Sequence, residues 1–448
     1  MPALARLKGT GVKSEDVIYA CTSDISGKLR GKGFPSADLE ARLTRGVGWT
    51  PTNVQITCFD TIADSPYGAL GDLALVPDPG ARARIDFGDG GPLEDFVLGD
   101  VRHMDGRPWE CCTRSILRAA LDRLDAAAGV SLFGAFEHEF HMSGRNGPPG
   151  EGFTVAGFRS ERLYAGALIA ALRQAGVTPD TVIREYGADQ FELTVKPVIG
   201  LAIADQAALL REIARSVAAR LAKRVSFTPQ RKPGSVGNGV HIHLSLRDRS
   251  DRPATYDPAG PHGLSRTAGA FIAGVLRHIG TLVALTCPSV VSYQRLVPHR
   301  WSAAFNNLGV QDREAAVRIC PVVAFDGSDP APQFNFEYRA ADAAASPHLL
   351  LAAIVHAGAA GIEDGLHAPE ATAEDLSLLS AQALSARGFE RLPGSLAQAL
   401  DRLEADAIVR NWFPDGFVDI YLAHKRNEIT FLAGRDEAEI CAAYEEVY

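Results

Sequence analysis

Residues 134–142 read GAFEHEFHM, and their alternation of apolar and polar side chains predicts a β-strand. Residues two apart point to the same side of a strand, so Glu137 and Glu139 share one face, while His138 and the flanking phenylalanines share the other. Such a carboxylate pair is by itself most often a solvated face. Its meaning therefore depends on the other strands of the chain.

Three further segments, QFELTVK, GNGVHIHLSL and QFNFEYRAAD, repeat this alternation. Their polar faces are, in chain order, Gln190, Glu192 and Thr194, then His241, His243 and Ser245, then Asn335, Glu337 and Arg339. Glu185 lies seven residues before Glu192. An ordinary solvent face would show Lys and Thr, so these residues predict a polar interior that several strands line together.

The carboxylates of these faces, together with an imidazole, suit a hard divalent ion such as Mg²⁺ or Mn²⁺. Five carboxylates around one ion would leave excess negative charge, so we expect two ions. Such ions bridge nucleotide phosphates and neutralise the charge that develops during phosphoryl transfer. The strand faces therefore predict a metal-assisted reaction on a nucleotide.

Arginines supply the positive charge that such a site needs. Five of them fall within 45 residues: Arg295, Arg300, Arg313, Arg318 and Arg339. Their planar guanidinium groups suit the recognition of carboxylates and phosphates. The phosphate cradle is not a P-loop, because the chain contains no GxxxxGK[ST] motif. GSVGNGV lacks the dinucleotide fingerprint and precedes a strand, whereas that fingerprint needs a helix.

The composition is that of a globular protein: 448 residues, 46% hydrophobic, 22% charged, with a formal charge of -9. No basic block offsets this charge, so we expect small-molecule substrates and neither nucleic acid nor membrane as a partner. Seven scattered cysteines predict a reduced, cytoplasmic protein, and Cys287 and Cys320 are interpreted as core thiols. The start of the chain shows no export signal. The charge-free stretch 343–362 predicts a buried helix.

The chain divides into two parts that differ in their predicted secondary structure. The first hundred residues alternate short strands with turns, contain one helix at SADLEARL, and close near the Gly/Pro-rich run VPDPGARARIDFGDGGP. From about Arg114 longer helices alternate with strands, and GPPGEG predicts an exposed loop. The sequence therefore predicts a small α+β domain followed by a larger one.

The chain resembles the glutamine synthetase superfamily over nearly its whole length. The segments that carry the resemblance are, in chain order, FEHEF, EYGADQFE, GNGVHIHLSL, RLVP, QDREAAVRI, FEYRAADAAASPHLLLAAIVHAGAAGI and RLPGSLAQALDRLE. The resemblance implies an α+β fold: a small N-terminal β-grasp domain over residues 1–105 and a large glutamine synthetase-type catalytic α/β domain over residues 106–448. It also implies stacked rings of identical subunits, with each active site between neighbours.

The resemblance assigns roles residue by residue. The implied ligands of the metal nearer glutamate are Glu139, Glu185 and Glu192, and those of the metal nearer ATP are Glu137, His241 and Glu337. Arg295, Arg339 and Gly237 would bind glutamate. Arg313 would contact the transferring phosphate, and Arg318, His243 and Ser245 would lie on the nucleotide side. Arg313, Glu337 and Arg295 are the predicted catalytic residues.

The implied reaction has two steps and needs ATP with two or more Mg²⁺ or Mn²⁺ ions. The γ-carboxylate of glutamate attacks the γ-phosphate of ATP, and an amine then displaces phosphate from γ-glutamyl phosphate. The residues must hold two anions together and stabilise the developing charge.

Departures from the family pattern concern the amine. Ammonia-using members carry a flap Glu six residues after the arginine matched by Arg295, where this chain has Trp301. Their FDGSS motif corresponds to CFDTIADSPYG, in which Asp60 and Asp64 match only loosely. We therefore expect an organic amine, namely an alkylamine, ethanolamine or a polyamine. Glutamine synthetase with ammonia remains the alternative, followed by a non-catalytic relative, although all six implied metal ligands are present.

Overall fold

The computed structural model describes residues 15–144 and 150–448. The first fourteen residues and the first half of the GPPGEG segment lie outside this part. The chain folds into a small N-terminal sheet domain followed by a large domain of strands and helices, as predicted.

The N-terminal sheet has the strand order β2-β1-β5-β4-β3, with β1 and β5 parallel at its centre. Its strands are β1 Val17–Ser23, β2 Leu29–Pro35, β3 Val47–Trp49, β4 Leu73–Ile85 and β5 Glu94–His103. The predicted helix at SADLEARL begins as a 3₁₀ turn, Ser36–Asp38, and continues as α1, Leu39–Arg45. Two central parallel strands flanked by antiparallel partners form the expected β-grasp arrangement.

The Gly/Pro-rich run does not close this domain, because its first half belongs to β4. Pro77 and Pro79 are accommodated where the register between β4 and β5 shifts, between Pro77 and Arg82. Proline has no N–H to donate to a ladder, and such an irregularity is where a strand tolerates it. The prediction that the first domain closes near this run was therefore wrong.

The large domain is built on a second sheet, whose main path has the order β15-β12-β13-β14-β11-β6-β8-β7. Its strands are β6 Val130–Ser143, β7 Pro179–Arg184, β8 Gln190–Val195, β9 Val198–Ile199, β10 Arg224–Ser226, β11 Val240–Asp248, β12 Leu308–Val310, β13 Val317–Ile319, β14 Phe336–Tyr338 and β15 Ala371–Thr372. Strands β9 and β10 pair with β6 off this path.

The helices of this domain pack against the sheet and against one another. They are α2 Thr113–Ala128, α3 Val155–Ser160, α4 Arg162–Gln174, α5 Ala202–Arg220, α6 Arg266–Thr286, α7 Pro347–Glu363, α8 Ala381–Ala386, α9 Leu396–Ala405, α10 Ala407–Arg410, α11 Phe417–Phe431 and α12 Glu437–Val447. Further 3₁₀ turns are Pro51–Gln55, Pro261–Gly263, Val290–Gln294 and Leu376–Leu378.

Helices α6 and α7 form the centre of the core. Nearly all of α7 is buried, which confirms the predicted buried helix. A Cβ atom at Gly274 of α6 would lie 2.1 Å from the carbonyl oxygen of Ala357 in α7, so glycine permits this close approach. By length and composition alone, helix α6 is long and apolar enough to span a membrane. However, 78% of its apolar 18-residue stretch is buried inside the fold. We therefore interpret α6 as a core helix.

Candidate active site

The four polar strand faces predicted from the sequence belong to consecutive strands, β14, β11, β6 and β8. The register places His241 opposite Glu137, His243 opposite Glu337, and Glu139 opposite Glu192. Side chains directly opposite on neighbouring strands lie about 5 Å apart at Cβ. The sheet thus gathers the ionisable groups of all four segments on one side.

Glu137, His241 and Glu337 form the tightest cluster, with one potential ligand atom from each within 4.8 Å of the others. His241 Nδ1 lies 2.8 Å from Glu137 Oε1 and 3.4 Å from Glu337 Oε1. Burial favours the protonated form of Glu137, but His241 and His243 outweigh this effect and hold the pKa of Glu137 well below its usual range. Two ionised carboxylates and an imidazole are a donor set that fits Mg²⁺ or Mn²⁺.

Two arginines contact the buried carboxylate of Glu337. Arg318 Nη1 donates to Glu337 Oε2 at 2.9 Å, and Arg339 Nη1 donates to Glu337 Oε1. Burial opposes ionisation of Glu337, but His241 and Arg339 lower its pKa to about 2. The Nε atoms of Arg318 and Arg339 are buried and make no hydrogen bond within the described ranges. Each arginine therefore keeps one buried N–H donor that is unsatisfied within the described ranges.

Glu139, Glu185 and Glu192 form a second, less compact group of carboxylates. Glu139 Oε2 accepts hydrogen bonds from Gly239 N at 2.7 Å and from Gln190 Nε2 at 3.2 Å. Burial, followed by repulsion from Glu137, Glu139 and Glu185, raises the pKa of Glu192 to about 9. A bound divalent cation would remove this repulsion, so the group fits a metal site.

The raised pKa of Glu192 predicts a pH dependence of the metal-free protein. Between the unfolded value of about 4.3 and about 9, the folded chain holds a proton that the unfolded chain has lost. Stability should therefore fall as pH rises through this window, and Mn²⁺ binding near pH 7 should release about one proton. Thermal unfolding against pH and calorimetry in two buffers of different ionisation enthalpy measure both effects. If Mn²⁺ binding released as many protons from Glu192→Gln as from the parent protein, Glu192 would not be the group that loses the proton.

His243 and Ser245 lie beyond this group, at a cavity of about 410 Å³ between β6, β8 and β11. His243 Nδ1 lies 3.0 Å from Asn335 Oδ1, and its Nε2 lies 3.5 Å from Glu137 Oε2. Glu137 therefore borders both the carboxylate cluster and this cavity. The cavity adjoins the residues predicted for the nucleotide side.

Arg295 runs under the glycine-rich segment that precedes β11. A Cβ atom at Gly237 would lie 2.4 Å from Arg295 Cγ, and one at Gly239 would lie 2.6 Å from Arg295 Nη2. Only glycine leaves this space, which explains the glycines of GNGV. Arg295 Nη1 donates to Ala341 O at 3.3 Å and lies 3.9 Å from Asp342 Oδ2. Its guanidinium therefore lies next to Gly239, whose N–H donates to Glu139 Oε2.

Arg313 is the predicted site residue that the structure does not bring into the cluster. Its side chain is exposed, and it makes no ion pair within residues 15–144 and 150–448. The assignment of Arg313 to the transferring phosphate stays a prediction.

Cys320 is a site neighbour that sequence reasoning missed. Its thiol is buried, as expected of a core cysteine, but its Sγ lies 3.5 Å from His243 Nδ1 and 3.9 Å from Glu337 Oε2. The sequence contains one indication of this position. Cys320 lies two residues after Arg318 and directly follows β13, which pairs with β14. Glu314 was also missed, and it holds the segment around Trp301 described below.

Comparison with known proteins agrees with this geometry. Residues 4–109 match the glutamine synthetase N-terminal domain, and residues 110–441 match the glutamine synthetase catalytic domain. The chain belongs to the glutamine synthetase family and is an ATP-dependent ligase that forms a C–N bond. Ligases of this family use ATP and divalent metal ions.

The chain is 33% identical to the gamma-glutamylpolyamine synthetase GlnA3 of Streptomyces coelicolor, over 98% of this chain and 94% of that protein. It is 29% identical to the glutamate–methylamine ligase of Methyloversatilis universalis, over 88% of each chain. The glutamine synthetase of Pyrococcus woesei is 29% identical over 88% of this chain and 86% of that protein.

Among solved structures, a novel glutamine synthase homolog superposes with a TM-score of 0.90 at 40% identity, covering 98% of this chain and 99% of that one. GmaS in complex with ADP superposes with a TM-score of 0.79 at 25% identity, covering 97% and 96% of the two chains.

Proposed function

We propose that the chain joins the γ-carboxylate of glutamate to a small organic amine, an alkylamine, ethanolamine or a polyamine, at the expense of ATP. The observation that carries the organic amine is Trp301, whose side chain is 69% exposed while its carbonyl oxygen accepts a hydrogen bond from Arg339 at 3.0 Å. Relatives named for a polyamine and for methylamine support the same choice.

In the first step, an oxygen of the glutamate γ-carboxylate attacks the γ-phosphorus of ATP, and the bond to the ADP oxygen breaks. Arg295, Arg339 and the Gly237 segment hold the glutamate, while Arg318, His243 and Ser245 face the nucleotide. Two sets of residues would hold Mg²⁺ or Mn²⁺, which would supply charge neutralisation for the phosphates: Glu137, His241 and Glu337, and Glu139, Glu185 and Glu192. Arg313 contacts the transferring phosphoryl group.

In the second step, the amine nitrogen attacks the acyl carbon of γ-glutamyl phosphate, the C–O bond to phosphate breaks, and the nitrogen loses a proton. An ammonium substrate gains from a flap carboxylate that binds the cation and accepts its proton. An indole does neither, but it offers an apolar or cation-π wall to an alkyl or aminoalkyl chain. This difference favours an organic amine over ammonia.

We also propose that the sites form in stacked rings of identical cytoplasmic subunits, with the N-terminal domain, residues 1–105, closing the catalytic domain, residues 106–448, of a neighbour. The segment around Asp60 supports this arrangement. Its neighbours pack against α11, while the carboxylate of Asp60 remains exposed and therefore accessible to a neighbouring subunit. Thr61 Oγ1 donates to Asn427 Oδ1 at 2.7 Å, the rings of Phe59 and Phe431 stack at 4.8 Å, and the side chain of Asp60 is 76% exposed.

Exchanging the indole for a carboxylate tests the role of Trp301. Trp301→Glu should shift the ratio of kcat/KM values toward ammonia by about two- to thirtyfold, the equivalent of the roughly 0.5–2 kcal/mol that an aromatic wall contributes. Trp301→Phe, the matched control, keeps an apolar ring and should retain most of the preference. The measurement is glutamate-dependent phosphate release with each amine, with the γ-glutamyl amide identified by mass. An unchanged ratio in Trp301→Glu would remove Trp301 from amine selection.

A further inference from the structure

The segment that carries Trp301 has an unusual backbone. His299 and Trp301 both adopt positive φ angles, 62° and 53°. Residues other than glycine rarely occupy this region, and bulky side chains least of all. Such a conformation persists only when surrounding contacts impose it.

Glu314 provides those contacts. Its Oε2 accepts a hydrogen bond from His299 N at 3.0 Å, and its Oε1 accepts one from Trp301 N at 3.2 Å. Glu314 is itself oriented by Asp312, whose Oδ1 accepts from Glu314 N at 2.8 Å. One carboxylate thus binds the amide groups of both left-handed residues, and bonds to a charged acceptor are the stronger kind.

The same segment connects two parts of the proposed glutamate site. Arg300 Nη1 donates to the carbonyl oxygens of Gly234 and Ser235, at 3.0 and 3.2 Å, in the segment that leads to Gly237. Arg339 Nη2 donates to Trp301 O at 3.0 Å. The backbone around Trp301 is therefore bonded to the glutamate-binding segment, to a glutamate-binding arginine and to Glu314.

We propose that Glu314 is a positioning residue for amine selection: its carboxylate fixes the backbone of residues 299–301 so that the Trp301 indole stands as the wall of the amine site. The proposal deepens the proposed function and rests on it. Glu314 acts through the two amides and touches no substrate. Without its carboxylate, the left-handed residues relax and the indole loses its fixed orientation.

The test compares Glu314→Ala and Glu314→Gln with Asp326→Ala, a control that also removes a carboxylate bonded to a backbone amide, in an exposed turn. Trp301 emission is isolated as the difference between each protein and its Trp301→Phe counterpart; its anisotropy and acrylamide quenching are measured without amine or turnover. In Glu314→Ala we expect lower anisotropy and stronger quenching. Glu314→Gln, which keeps an acceptor oxygen, should fall between it and the parent.

In turnover, Glu314→Ala should lower kcat/KM for the preferred organic amine by about two- to thirtyfold, the range expected for loss of the Trp301 wall, with the KM for ATP within about twofold of the parent. Asp326→Ala should match the parent in both. Unchanged Trp301 anisotropy and amine kcat/KM in Glu314→Ala would overturn the proposal, as would an equal loss toward every substrate including ATP. If the parent enzyme itself preferred ammonia, the proposed function would fail, while the fluorescence result would still report whether Glu314 holds the segment.

Discussion

Glu192→Ala and Glu139→Ala should each lower phosphate release by at least about 100-fold, because each removes a carboxylate from the charge-stabilising site. Mn²⁺ affinity should fall in parallel. The fold should remain, since Glu192 is repelled by its neighbours in the metal-free protein and its pKa is raised to about 9. The measurements are steady-state phosphate release, Mn²⁺ titration and thermal unfolding of the metal-free protein.

If Glu192 served only to stabilise the fold, its replacement would instead lower the thermal stability of the metal-free protein. Glu192→Gln is neutral at every pH and has nearly the same volume, so folding no longer requires the uptake of a proton at this position. The metal-free variant should therefore be at least as stable as the parent at pH 8. Glu404→Ala, which removes a surface carboxylate paired with Arg426, is the matched control and should keep full activity. Full activity in Glu192→Ala or Glu139→Ala would eliminate the two-metal assignment.

Arg295→Ala and Arg313→Ala should separate glutamate binding from phosphoryl transfer. Arg295 is buried beside the glycine-rich segment, and its loss should chiefly raise the KM for glutamate, by about 30-fold or more, as expected for roughly 2 kcal/mol from a charged hydrogen bond. Arg313 is exposed, and its loss should chiefly lower kcat, by at least about 100-fold, because we propose that it contacts only the transferring phosphoryl group.

Initial rates against glutamate and against ATP give the two parameters for each variant. Arg277→Ala, which removes an exposed arginine paired with Asp364, is the control and should leave both unchanged. The reverse pattern, with kcat lost in Arg295→Ala and KM raised in Arg313→Ala, would show that the two roles are exchanged.

The alternation of polar and apolar side chains was sufficient to predict which residues share a strand face. It predicted the inward carboxylates of β6 and β8, the histidines of β11 and Glu337 on β14. It did not give the order β14-β11-β6-β8, because pairing between strands a hundred residues apart depends on tertiary packing rather than on local pattern. The composition of these faces predicted a polar interior lined by several strands, and the family resemblance supplied the division of its residues between two metal sites.

Other features depend on contacts that no local pattern encodes. The Gly/Pro-rich run VPDPGARARIDFGDGGP was interpreted as the point near which the first domain closes, but β4 continues through it to Ile85 and pairs irregularly with β5. Cys320 reads as a core thiol and is one, but the pairing of β13 with β14 brings it beside His243 and Glu337. Glu314 reads as a surface charge, and its role follows from two backbone amides more than ten residues away.

The most direct test of the central claim, that this ATP-dependent ligase joins glutamate to an organic amine, is the comparison of kcat/KM for ammonia, methylamine, ethanolamine and putrescine at fixed ATP and glutamate. We expect one of the organic amines to exceed ammonia by about tenfold or more, with formation of its γ-glutamyl amide. Ammonia exceeding every organic amine by about tenfold would contradict the claim and identify the chain as a glutamine synthetase proper.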